Sequence, residues 1–79
     1  MNKNTLNNLA INGSGIIKSI EATDIKRRLM DIGLTNGTKV EKVLTNFTNN
    51  MSAYFIRGAL IAIRNEDAET VLIEVNSVD

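Results

Sequence analysis

Three acids, Glu66, Asp67 and Glu69, fall within four positions of this 79-residue chain. Carboxylates that close together could hold a hard cation through oxygen. Acids are also what the helix dipole favours in a first helical turn, and the string NEDA reads more simply as such a turn, with Asn65 as its N-cap. Lys26, Arg27, Arg57 and Arg64 could form a basic patch for nucleic acid or lipid. Scattered as they are, they read instead as a solvated surface. The chain has no His and no Cys, which removes Ser-His and Cys-His nucleophiles, structural zinc and any imidazole acid or base near neutral pH. Only oxygen ligands remain for a metal ion, in no evident constellation. No catalytic residue, cofactor site or metal site is expected.

Nine basic and nine acidic residues cancel, and the pI is about 6.2. Nucleic acid held mainly by charge neutralisation is therefore not expected. Ala59 to Ile63 is the longest uncharged apolar run, far below the roughly 18 to 20 residues that span a bilayer. The start MNKNTLNNL has no apolar signal block. The expectation is one cytoplasmic domain over residues 1–79, without membrane insertion, whose core forms without disulfide or zinc.

The elements follow from spacing. Leu6 and Leu9 lie three apart, as on one turn, and Asn12-Gly13-Ser14-Gly15 reads as a tight turn. Ile16 to Ile20 is a strand in which Ile17 and Ile20 break strict alternation, as in a strand that bends. Thr23 or Asp24 can N-cap a short helix. With Ile25 placed at 0°, Leu29 falls at about 40° and Ile32 at about 340°, a narrow apolar stripe. Arg28, at about 300°, borders the stripe with its stem on the core, and Asp24 stands four residues before it as an ion-pair partner. Arg27, at about 200°, faces solvent; Met30, at about 140°, is an exposed thioether beside Lys26. Gly33 suits a left-handed helix end, and Leu34 can fold back on the last turn. Asn36-Gly37 makes a second turn before a strand over Thr38 to Leu44. TNFTNN is a polar loop. Ser52 to Ile56 and Leu60 to Arg64 form a hairpin about Arg57-Gly58, and Val71 to Val75 is the last strand. Five short strands with one short helix between the first and second indicate a mainly β small barrel, because closure removes open edges.

The ordered series Leu6-x-x-Leu9, Gly15-x-Ile17, Arg28-Leu29-x-x-Ile32-Gly33-Leu34-x-x-Gly37-Thr38, then Gly58 and Ile61-Ala62-Ile63-Arg64 with Ala68, Val71 and Ile73, resembles the FeoA family over nearly the whole chain. The resemblance implies an SH3-like barrel in which Arg28, Leu29, Gly33 and Gly37 belong to the structural motif. It also implies an accessory role in bacterial ferrous iron uptake, as an interaction module on the FeoB-type membrane GTPase transporter. Similar domains end iron-dependent repressors, which keeps a nucleic-acid-binding or regulatory barrel as the alternative. The family's loop before the third strand usually carries prolines. LTNFTNNMS has none, so a more mobile loop is expected. Asn12 stands near a position where Gly is usual and tolerates the same conformation.

Alternation, together with the family pattern, turns Tyr54, Ile56, Ile61 and Ile63 inward and Phe55 and Leu60 outward. An SH3 groove for polyproline is lined by aromatics; this chain has two Phe, one Tyr and no Trp. The candidates for partner contact are Phe55 and Leu60 as one patch, with Phe47, Met30 and Arg27. The partner would be the transporter or a second copy of the chain.

Overall fold

The computed structural model describes residues 4–75; residues 1–3 and 76–79 of the expected 1–79 domain lie outside the described residues. The expected bend in the first strand is present in Ser14–Ile20 (β1). Ile17 pairs with Ile73 and Ser19 with Leu72, so Lys18 is an extra residue that rephases the strand. Ile17 and Ile20 consequently both reach the core. Before β1 the chain makes a single 3-10 turn at Leu6–Asn8. Asn12 then takes a φ of 72°, the left-handed conformation that asparagine tolerates.

The helix Lys26–Asp31 (α1) is shorter at its start than expected. Its N-cap is Ile25, and no side chain caps it; Thr23 contributes only its carbonyl, which accepts from the Lys26 N–H at 3.1 Å. Asp24 does not pair with Arg28, because the ion pairs within 4 Å among the described residues are Lys18–Glu74 and Arg64–Glu66. Arg28 is exposed: i, i+4 spacing permits such a pair, but solvent outcompetes it at a surface helix. The far end follows the sequence. Leu34 N–H donates to the Leu29 carbonyl at 3.1 Å and Gly33 N–H to that of Met30 at 3.0 Å, with Gly33 at a φ of 111°. This double closure satisfies carbonyls that the helix end leaves free and folds Leu34 onto Leu29. Both leucines are buried.

Four further strands and one more helical turn complete the chain: Lys39–Thr45 (β2), Met51–Ile56 (β3), Ala59–Arg64 (β4), Asn65–Ala68 (α2) and Val71–Val75 (β5). They form one antiparallel sheet in the order β4-β3-β2-β1-β5. This is the expected barrel, with its short helix between the first two strands and its core built on Leu6, Ile17, Leu34, Val40, Tyr54 and Ile56. Its closure differs from the expectation. Among the described residues no ladder joins β4 to β5; the turn at Leu6–Asn8 packs on α2 and β5, and α2 packs on β4. The start of the chain also shields the β5 edge, where Ile73 N–H donates to the Asn4 carbonyl at 2.9 Å. No described helix is long and apolar enough to cross a membrane.

Candidate functional site

The β3–β4 hairpin turns through Arg57 and Gly58, with φ of 50° and 85°. Positive φ at both central residues is the tight reversal that matches strand twist. Arg57 is the unusual member, and its guanidinium is anchored: Nη2 donates to the hydroxyls of Thr35 and Thr38, each at 3.2 Å. Those two hydroxyls are themselves 2.8 Å apart. Arg57 thus ties the hairpin tip to the loop after α1, a role its scattered position in the sequence does not suggest.

The ladder fixes the phase of the hairpin. Tyr54 faces Ile61, Ser52 faces Ile63, and Phe55 faces Leu60. Tyr54, Ile56 and Ile63 are buried and Ile61 partly so. Phe55 remains 47% exposed and Leu60 58%, on the same outer face. A second row extends the patch. An irregularity at Val43 lets Leu44 pair with Ala53, which pairs with Ala62, and Leu44 is 49% exposed. Sequence alternation alone did not signal Leu44, because the shift at Val43 changes its face. Glu41 borders Phe55 on β2. A groove of about 360 Å³ between them is lined by Lys39, Glu41, Phe55, Arg57 and Gly58.

The other candidates lie elsewhere. Phe47 is fully exposed, in the β2–β3 loop at the end of β3 opposite Phe55. The loop has its own support in place of prolines: the Asn46 carboxamide oxygen accepts from the N–H groups of Asn50 and Met51 at 3.0 and 3.2 Å. Met30 lines a separate groove between α1 and β1 with Lys18 and Lys26. Arg27 is exposed on α1. Arg64 lies 3.7 Å from Glu66 on an exposed surface. Asn65 does not cap α2; its amide donates to the Asn49 carbonyl at 2.6 Å, because β4 runs straight into the turn and Arg64 occupies the cap position. Among the described residues no three Asp or Glu side chains gather as a metal site.

The inner face holds a residue the sequence did not mark. Lys42 is buried beside Tyr54, its Nζ 2.9 Å from the Asn7 carbonyl and 5.8 Å from the centre of the Tyr54 ring. Burial lowers the Lys42 ammonium below its ordinary pKa. Burial raises the Tyr54 phenol, and a hydrogen bond with Ser52 opposes that rise. The Tyr54 hydroxyl reaches the Leu6 carbonyl at 3.5 Å.

This fold is shared with known proteins. The FeoA domain family matches residues 4–75. The chain belongs to the FeoA family. The FeoA-like protein of Clostridium acetobutylicum superposes with a TM-score of 0.90 at 25% identity, covering 100% of this chain and 94% of that one. The zinc-complexed FeoA of Stenotrophomonas maltophilia, described as a prokaryotic SH3 domain protein, gives a TM-score of 0.78 at 23% identity, covering 89% and 88%. A manganese-dependent transcriptional repressor shares the fold at a TM-score of 0.85 and 15% identity, covering 96% of this chain and 38% of the repressor. No curated protein matches. The FeoA fold here is thus an SH3-like barrel that also occurs within larger regulators.

Proposed function

We propose that the chain is a non-enzymatic accessory protein of bacterial ferrous iron uptake, working in the cytoplasm as a single domain. It docks on the cytosolic part of a FeoB-type membrane GTPase transporter through the outer face of the β3–β4 hairpin. The observation that carries this reading is the direct pairing of two large, half-exposed apolar side chains, Phe55 and Leu60, extended by Leu44. Singly exposed apolar residues are ordinary, whereas a contiguous patch suits a protein surface. Membership of the FeoA family supports the iron-uptake setting. The Stenotrophomonas maltophilia relative is described in terms of ferrous iron transport activation.

The test is co-purification of the chain with the transporter's cytosolic domain, before and after the double substitution Phe55→Ser and Leu60→Ser. Association should be lost while the melting temperature stays near that of the parent. Retained association with an intact fold rejects the hairpin as the docking face. Salt-dependent retention on DNA or RNA would favour the repressor-like alternative.

A further inference from the structure

We propose that β4 pairs with β4 of a second copy, antiparallel about a two-fold axis at Ala62, to form a weak symmetric dimer. The proposal does not rest on docking at the transporter, and its test uses the chain alone.

The free edge of β4 carries it. In a hairpin with a two-residue turn, the residues flanking the turn form the first hydrogen-bonded pair, here Ile56 and Ala59. Bonding alternates from there, so Tyr54–Ile61 and Ser52–Ile63 are bonded pairs. The N–H and C=O groups of Leu60, Ala62 and Arg64 therefore point away from β3. Among the described residues no backbone bond outside the ladders uses these groups of Leu60 and Ala62 or the Arg64 N–H; the Arg64 carbonyl, at the N-cap of α2, accepts that helix's first bond. At the other edge of the sheet, β5 is bridged by Thr5 at Leu72. The β4 segment ALIAIR has no proline and no charge before Arg64, so it lacks the devices that keep an edge from pairing.

The second copy fits as the occupant because this edge is self-complementary in one register. Opposed residues of an antiparallel pair point to the same face, which allows Ala62 to face its own copy. Ile61 then faces the partner's Ile63, and Leu60 the partner's Arg64. The isoleucines fall beside a groove of about 340 Å³ along β4, floored by Ile25, Leu29, Ile32 and Ile61. On the outer face the row Glu41, Phe55, Leu60 is continued by the partner's Arg64. The arginine stem covers Leu60, and its guanidinium reaches toward the Phe55 ring and the Glu41 carboxylate. The exposed Arg64–Glu66 contact at 3.7 Å given up in exchange is of the kind that contributes little. Zero net charge removes long-range repulsion between copies.

A pairing of six-residue strands is smaller than a standard interface, so the dissociation constant should be on the order of 0.1 mM. Sedimentation equilibrium should show a reversible dimer. Ala62→Lys, at an exposed position, sets two ammonium groups opposite each other and should leave a monomer with an unchanged melting temperature. The natural chain has no Cys, which allows a second test. Ala62→Cys places two thiols at the axis, with Cα atoms about 5.5 Å apart and within disulfide range, and should oxidise to a linked dimer. Leu60→Cys leaves its thiols four residues out of register, roughly 13 Å apart, and should not. A monomer at about 1 mM, a dimer indifferent to Ala62→Lys, or equal linkage at both positions overturns the proposal.

Discussion

Each face of the β2–β3–β4 surface carries exceptions to the usual arrangement, and they are of opposite kinds. Inside, Lys42 and Ser52 are 6% and 1% exposed, whereas outside, Phe55, Leu60 and Leu44 keep about half of their surface in water. Sequence alternation turns alternate side chains to opposite faces, but it does not say that the buried face must be purely apolar or the wet face polar. A chain this small has little core to spare. Large apolar groups left half in water add less to that core than buried ones and are what the proposed docking face would use, whereas the polar groups inside are tolerated because they find partners. Ser52 shares a 3.0 Å contact with the Thr45 hydroxyl, and Lys42 reaches the Asn7 carbonyl.

The largest contrast should appear between neighbours in sequence. Ile56 is 1% exposed, and its truncation to Ala should cost about 2 to 5 kcal/mol, enough to unfold a marginal domain. Phe55→Ala, one residue away, should change stability by about 0.5 kcal/mol or less. Chemical denaturation of the two variants checks the pair. Equal losses would mean that the outer face is part of the folding core, and the docking reading would fail with it.

Most of this architecture was legible in the sequence, and the reasons are local. The stripe through Leu29, the Gly33 helix end and the hairpin phase each depend on periods and φ preferences that short stretches encode. The details that escaped depend on contacts between distant segments. Leu44 faces outward only because the ladder slips at Val43, and Arg57 is a tie only because the loop after α1 brings Thr35 and Thr38 to it. The Asp24–Arg28 pair was legible in spacing yet absent, since surface charges gain too little to hold one geometry. The outer patch was half visible: Phe55 and Leu60 from alternation, Leu44 from the structure alone.

A smaller effect separates two glycines that the sequence presents alike. Gly33 has a φ of 111°, and a Cβ there would come within 3.3 Å of Ile56 Cγ2 on the buried face; Gly37 has a φ of 90° with nothing within 4 Å. Both Ala substitutions force a side chain into backbone space it disfavours, at about 1 to 2 kcal/mol. Gly33→Ala should cost more, by about 0.5 to 1 kcal/mol, because it also crowds the core. Parallel urea titrations measure the difference. Equal costs would show that the core under Gly33 yields freely and that the inner face is less tightly packed than its burial implies.

The smallest effect belongs to Lys42, the polar residue on the buried face, and its sign depends on pH. Its folded pKa lies below the ordinary value of 10.5, so between those two values the unfolded chain binds more protons. Stability contributed by Lys42 therefore rises as pH climbs through that window and is lowest where the ammonium is charged in both states. Tyr54 acts in the opposite sense: its raised pKa keeps the folded phenol protonated while the unfolded chain ionises above its ordinary 10.0, so its contribution falls at higher pH. Lys42→Met keeps the stem's packing and removes the buried charge, while the half-buried Asn7 carbonyl can turn to water. At pH 7 the variant should be as stable as the parent or more so, by about 1 kcal/mol or less. Between pH 7 and pH 10 the parent should gain on the variant, since only the parent has the lysine window. Unfolding free energies of both proteins at these two pH values decide it. A variant that is strongly destabilised at pH 7 would mean that the ammonium's contacts with Asn7 and Tyr54 outweigh its desolvation, making Lys42 a stabilising strut of the inner face.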